Sequence, residues 1–202
     1  MMDVRLSERV DAVAIGTSAG GIEALSVLLP ALTAGVRASF FIVLHLPRER
    51  PSLLVDIFAP RCAIRVCEAE DKDPIEPGTI YFAPPDYHLL IDRGPAVALS
   101  ADDLVNFSRP SIDVLFESAA DVYGPRLLGI ILTGASSDGA QGLEAVRRAG
   151  GLTCVQQPEE SRAPMMTASA LKRGPVDLVL PLDDIARLLR SLDPAATADM
   201  AT

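Results

Sequence analysis

The chain has 202 residues, enough for one domain with a substantial core, and its composition of 49% hydrophobic and 22% charged residues suits a globular protein. A net charge of −9 and a pI near 4.7 argue against a nucleic-acid binder or a ligand of anionic membranes, both of which need clustered basic surface. No apolar run approaches the ~20 residues of a membrane span, and the N-terminus lacks the apolar stretch of a signal peptide. Cys62, Cys67 and Cys154 have no paired spacing, and without a Cys-x-x-Cys or neighbouring histidines no zinc site is expected. The chain therefore reads as cytoplasmic, with reduced thiols, no metal and no cofactor.

Along the chain, Val10 to Gly16 is a mostly apolar run of buried-strand length. The turn Gly16-Thr17-Ser18-Ala19-Gly20-Gly21 follows, and Ile22 to Leu32 carries helical apolar spacing. Ser39 to Leu46 is a second continuous apolar strand, as expected for parallel strands covered on both faces. A helix over 52–58 ends before Pro60. Short strands are expected over 64–68 and 79–83, and a β-hairpin over 87–91 and 96–99 around Asp92-Arg93-Gly94-Pro95. Helical spacing runs from about Pro110 to Val122. Strands over 127–132, 152–156 and 178–180 then alternate with helices over 138–149, 167–172 and 183–192. This rhythm predicts a three-layer α/β/α fold: a mainly parallel, doubly wound sheet with an inserted antiparallel β-hairpin. Prolines and glycines are spread throughout and mark no linker, so residues 11–192 read as one catalytic domain. Residues 1–10 form an N-terminal extension, and 193–202 form an alanine-rich tail expected to fray.

Ligands of such folds bind beyond the carboxyl ends of the strands, and three of those ends carry reactive groups. Gly16-Thr17-Ser18-Ala19-Gly20 fits G-x-S-x-G, a strand-to-helix turn that presents a serine hydroxyl above the sheet. Taken alone, Ser18 reads equally well as a nucleophile or in a structural role, either capping the helix or belonging to an anion-binding loop. His45 ends the second strand, and its near-neutral pKa class suits a base for that hydroxyl. The competing His88 lies in the hairpin beside Tyr87 and Leu89, where packing or a pocket rim is the better reading. Asp138, in Ser136-Ser137-Asp138-Gly139, could accept the imidazole Nδ1–H and leave Nε2 for Ser18. By itself it reads better as a capping box with Gln141. The convergence of the three favours a Ser-His-Asp site. Neither the Ser…Asp…His order of α/β-hydrolases nor the dinucleotide-binding pattern fits, since Ser18 takes the second glycine of G-x-G-x-x-G and His45 stands where an acidic residue would be expected.

The segments Val13 to Gly21, Leu44-His45-Leu46-Pro47, Pro74 to Leu90, Arg109 to Phe116 and Ile131 to Gly139 together resemble, in order, the signature segments of the CheB catalytic domain. The resemblance covers roughly Asp11 to Leu192. It implies a cofactor-free serine hydrolase that removes γ-methyl esters from glutamates on the cytoplasmic helices of chemoreceptors, releasing methanol; some members also deamidate receptor glutamines. It places Ser18, His45 and Asp138 in the triad and the backbone N–H groups of Ala19 and Ala135 at the oxyanion. Other chemotaxis signalling proteins are implied as partners, with no nucleic acid and no membrane insertion. The chain departs from the family at Ala19, usually threonine, at Gly134-Ala135-Ser136, usually Gly-Met-Gly, and at Thr167, usually proline. Arg48-Glu49-Arg50 reads either as a receptor-positioning loop or as solvated surface. Only about ten residues precede the first strand, so the receiver domain of typical members is expected to be absent, in a receiver-less protein or an excised fragment. The alternative to catalysis is a binding or scaffold module that keeps the fold, and a weaker third reading is a general small-ester hydrolase.

Overall fold

The computed structural model describes residues 6–46, 51–94 and 96–195. In chain order the elements are α1 (Leu6–Arg9), β1 (Ala12–Thr17), α2 (Gly21–Leu28), β2 (Ser39–Leu44), α3 (Leu54–Phe58), β3 (Arg65–Glu68) and β4 (Thr79–Phe82). They continue with β5 (His88–Asp92), β6 (Ala96–Ser100), α4 (Ile112–Tyr123), β7 (Leu127–Ile131), α5 (Ala140–Arg148), β8 (Leu152–Gln156), α6 (Met165–Arg173), β9 (Leu178–Leu180) and α7 (Leu182–Arg190). Seven strands form one parallel sheet in the order β3-β4-β2-β1-β7-β8-β9, and β5 and β6 pair antiparallel as a separate hairpin. The α/β/α fold read from the sequence, with its inserted hairpin, is the observed one.

The order in which strands are added to the sheet changes sense at β1, which has β2 on one side and β7 on the other. That is the switch point at which open α/β sheets bind ligands. Strand alternation divides the core between two faces. Val13, Ile15, Phe40, Ile42 and Ile130 pack with Leu25 and Leu28 of α2, Phe58 of α3 and Ile185 and Leu189 of α7. Ala12, Ala14, Phe41, Val43 and Ile131 pack with Leu115 and Phe116 of α4, Leu143 and Val146 of α5 and Met166 of α6, together with Leu89 and Val97 of the hairpin.

On the α4 side β1 offers only Ala12, Ala14 and Gly16, which allows a close approach. A Cβ built on Gly16 would lie 2.3 Å from Ile112 Cγ2, and one on Gly139, whose φ is +92°, would lie 2.6 Å from the same methyl. Ile112, the first residue of α4, is thus wedged between the ends of β1 and the β7–α5 loop, which fixes where the amino end of α4 stands.

Several helix ends differ from the sequence reading. The helix expected to start at Asp138 begins at Ala140, after an N-cap Gly139 in the left-handed region. The helix expected over 22–32 is α2 followed by a 3-10 turn over Leu29–Ala31, where Pro30 supplies no N–H. Asp193, placed in the tail by the sequence, is buried and accepts a hydrogen bond from Thr33 Oγ1. The charged run Arg48-Glu49-Arg50 and residues 196–202 lie outside the described residues.

Candidate active site

The ladder registers bring Ser18 and His45 side by side. The last paired residues of β1 and β2 are Thr17 and Leu44, and Ser18 and His45 each stand one residue further on. The pairing carries through the backbone, since His45 N–H donates to Thr17 O at 3.2 Å and Ser18 N–H donates to Thr133 O at 3.0 Å. Serine and histidine therefore leave neighbouring strands at the switch point.

Asp138 reaches the same place from the β7–α5 loop. Its Oδ2 lies 2.9 Å from His45 Nε2, not from Nδ1 as the sequence reading expected. The carboxylate is anchored at the amino end of α4, and from that direction the distal edge of the ring is the one it meets. With an ionised carboxylate opposite, Nε2 carries the hydrogen and donates, so Nδ1 is the nitrogen with a free lone pair. Ser18 Oγ makes no hydrogen bond among the described residues. Catalytic contacts of this type commonly tighten only when substrate is bound.

Asp138 is fully buried yet richly supplied with donors. Besides His45, its Oδ2 accepts the Ile112 N–H at 2.6 Å. Its Oδ1 accepts from Asn106 Nδ2 at 2.9 Å, Ser111 Oγ at 2.8 Å, Asp113 N–H at 3.2 Å and Gly139 N–H at 3.1 Å. Burial by itself would push its pKa up, but the bonds from His45, Asn106 and Ile112 outweigh burial and hold it below the usual carboxylate value. Asp138 thus does cap a helix, but α4 rather than α5: it satisfies the first free N–H groups of α4 from outside that helix, where Ser111, the N-cap residue, makes no cap bond of its own. Gln141, the expected capping-box partner, instead donates to Glu117.

A second carboxylate lies behind the first. Asp113 is 6% exposed, accepts Gly142 N–H at 2.6 Å and Asn106 Nδ2 at 2.7 Å, and has its pKa raised by burial and by the charge of Asp138.

The Ser18 turn is braced by Thr133. Thr17 Oγ1 donates to Thr133 O at 2.8 Å, Thr133 Oγ1 donates to Ala19 O at 2.9 Å, and Gln156 Oε1 accepts Thr133 N–H at 2.9 Å. Gly134 is pressed between Ser18 and Met166, where a Cβ would stand 3.0 Å from Ser18 Cβ and 2.6 Å from Met166 Cε. The N–H groups of Ser18 and Gly134 are spent on Thr133 O and Ala163 O. Those of Ala19 and Ala135, the two oxyanion candidates, donate to no group among the described residues, and both residues are exposed.

The remaining candidates fall into supporting places. His88 is 2% exposed; its Nδ1 accepts Ser111 N–H at 3.1 Å and its Nε2 donates to Asp103 O at 3.0 Å, which satisfies the ring and leaves it no base to offer. Arg109 pairs with Asp86 at 2.8 Å and donates to the carbonyls of Ala101 and Asp102. Thr167 is buried, and its hydroxyl donates to Pro164 O. His45, Leu46, Phe107, Ser108, Arg109 and Pro110 line a recess of about 90 Å³. Among the described residues no group of His, Cys, Asp and Glu is arranged to hold a metal ion, and no helix is long and apolar enough to cross a membrane.

Sequence reasoning missed Asn106 and Gln156, and it left Ser111, Ile112 and Thr133 without roles inside segments it had singled out.

Comparison with known proteins agrees with this architecture. The sequence profile of the family described as CheB methylesterase matches residues 13–189. A Leptospira interrogans protein, provisionally named protein-glutamate methylesterase/protein-glutamine glutaminase, is 45% identical over 183 residues, covering 91% of this chain and 95% of that protein. The Albidiferax ferrireducens protein-glutamate methylesterase/protein-glutamine glutaminase 2 is 41% identical over 187 residues; the match covers 91% of this chain but 53% of that longer relative. The crystal structure of the Thermotoga maritima CheB methylesterase catalytic domain superposes with a TM-score of 0.86 at 31% identity, covering 91% of this chain and 98% of that one. The chain is a member of the CheB methylesterase family.

Proposed function

We propose that the chain hydrolyses γ-methyl esters of glutamate on the cytoplasmic helices of chemoreceptors, with Ser18 as nucleophile, His45 as base and Asp138 orienting the base. The observation that carries the reading is the ion-pair-ready contact of His45 Nε2 with the buried Asp138, made one residue beyond the strand positions where Ser18 and His45 become neighbours. With Nε2–H committed to Asp138, Nδ1 takes the Ser18 hydroxyl proton as Oγ attacks the ester carbonyl. In this reading the N–H groups of Ala19 and Ala135, which donate to nothing among the described residues, take the negative charge that develops on the carbonyl oxygen, an interaction worth about 3–4 kcal/mol per donor in well-studied hydrolases. Collapse breaks the bond to the methoxy group, which leaves as methanol with the proton from Nδ1. Water, deprotonated by the same nitrogen, then cleaves the acyl-enzyme to free glutamate and Ser18. The same steps on a glutamine side chain expel ammonia, the deamidase activity named for the relatives. No cofactor is needed for either reaction.

Residues 11–192 make up the catalytic unit in this reading, working in the cytoplasm on a protein substrate and, through it, beside other chemotaxis signalling proteins. The recess of about 90 Å³ beside His45 has room for a group as small as the methoxy leaving group. A fluorophosphonate, which an activated serine attacks at phosphorus with loss of fluoride to give a stable phosphonate ester, tests the nucleophile directly. Labelling at Ser18, slowed by His45→Ala and absent in Ser18→Ala, supports the reading; a folded wild-type chain left unlabelled opposes it.

A further inference from the structure

The turn Val105–Ser108 closes on itself, with Val105 N–H donating to Ser108 O and Ser108 N–H donating to Val105 O. Both central residues have positive φ, Asn106 at 51° and Phe107 at 62°. This is the backbone sense of a type I′ turn, which favours asparagine or glycine and is costly for phenylalanine. Such departures persist where the surroundings over-determine them, and they concentrate at functional sites. Here the turn sends the Asn106 amide inward to both buried carboxylates: one Nδ2 lies 2.9 Å from Asp138 Oδ1 and 2.7 Å from Asp113 Oδ2. Two carboxylates this close repel each other when ionised, and a neutral donor between them supports both.

We propose that Asn106 is a positioning residue for the catalytic site: its amide separates Asp113 from Asp138, keeps the Asp138 charge directed at His45 and so sets the strength of the base. The inference rests on the triad reading given above. Without the amide, Asp113 is left to take up a proton and share it with Asp138 Oδ1, which weakens the hold of Asp138 on the imidazolium that forms during turnover. The other donors to Oδ1 are the Ser111 hydroxyl and the backbone N–H groups of Asp113 and Gly139, and none of them also reaches the Asp113 carboxylate.

Two variants separate this role from a purely architectural one, because glycine and aspartate both tolerate the positive φ of position 106. Asn106→Gly removes the donor; Asn106→Asp replaces it with a third carboxylate of the same size. With a methylated chemoreceptor fragment as substrate, Asn106→Gly lowers kcat about tenfold or more with KM unchanged, the scale of a hydrogen bond to a charged group. Asn106→Asp loses more at neutral pH, and its kcat relative to wild type at the same pH rises as the pH falls, because a protonated carboxyl at that position can donate again. In protein carrying 15N-labelled histidine, both variants move the His45 ring Nε2–H resonance and leave that of His88 in place, while Ser18→Ala leaves both in place and abolishes turnover. Wild-type kcat and an unmoved His45 resonance in both Asn106 variants, with Ser18→Ala inactive, overturn the inference while sparing the triad. Undiminished turnover by Ser18→Ala removes the triad reading instead, and the His45 resonance then still reports on Asn106.

Discussion

His45 Nε2 donates to Asp138 Oδ2 across 2.9 Å, and the carboxylate that receives it is wholly buried at the amino end of a helix to which it does not belong. One carboxylate thereby fixes the tautomer of His45, caps α4 and ties the β7–α5 loop to the ends of β1 and β2.

Replacing Asp138 with asparagine should separate these roles. An amide of the same shape can still accept the Asp113 N–H of α4 through its oxygen, but the nitrogen in place of Oδ2 gives up the Ile112 N–H bond and presents an N–H toward His45, favouring the tautomer that puts hydrogen on Nδ1, the nitrogen needed as base. Turnover of methylated receptor should fall by about three to four orders of magnitude in a protein that still folds. A loss of less than about tenfold, measured as kcat on purified folded protein, would show that Asp138 is not orienting the base.

The pKa directions of the two carboxylates give acid responses of opposite sign. Asp138 is depressed in the folded state, so its contribution is present above the unfolded value, about 3.9, and is lost as the pH falls through the folded value. Asp113 is raised, so its contribution is present below the unfolded value and is lost as the pH rises through the folded one. In thermal unfolding followed from about pH 6 to about pH 3, the stability advantage of wild type over Asp138→Asn should therefore shrink toward acid, whereas wild type should gain on Asp113→Asn. Slopes of equal sign for the two pairs would refute the assignment.

Gly16→Ala should act through Ile112. The added methyl would meet Ile112 Cγ2 at 2.3 Å and push the start of α4, with its Ile112 N–H, away from Asp138. A destabilisation of about 1–3 kcal/mol is expected for such overpacking, together with reduced turnover. In an Ile112→Ala background the same substitution should cost less, by about 1 kcal/mol, because the methyl it strikes has gone. Strict additivity in denaturant unfolding of the four proteins would mean that the strain lies elsewhere.

His88 should behave as a structural histidine. His88→Phe leaves Ser111 N–H and Asp103 C=O without their partners, so the melting temperature should drop by several degrees. Turnover should stay within about tenfold of wild type, in contrast to His45→Ala, which removes the base. Equal loss of activity in the two variants at a temperature where both are folded would count against the division of roles.

Much of this arrangement was legible in the sequence because the three candidate side chains sit at or beyond the ends of long apolar strands. Val10 to Gly16, Ser39 to Leu46 and Leu127 to Leu132 read as buried parallel strands, and the polar residue at or beyond each end stood out against them. Ring orientation was not legible: which nitrogen of His45 meets Asp138 depends on where α4 begins, and that follows from Ile112 wedged between Gly16 and Gly139, contacts more than 25 residues apart in sequence. The capping-box pattern at Asp138 and Gln141 was a real local signal, but the helix whose N–H groups Asp138 satisfies lies earlier in the chain. Asn106 gave no signal, since Val-Asn-Phe-Ser is not a common tight-turn sequence and its turn is visible only in the structure, from the two positive φ angles and the paired backbone bonds of Val105 and Ser108. Asp193 was read as tail because alanine-rich sequence follows it, whereas its carboxylate is held by Thr33.

If Ser18 and His45 carry out ester hydrolysis on a receptor, the chain frees methanol from a chemoreceptor fragment methylated in vitro, and that release is the measurement to make. Wild-type chain should release methanol, and Ser18→Ala and His45→Ala, both folded, should release none above the uncatalysed rate. Release that survives either substitution would mean that Ser18 and His45 are not the nucleophile and base.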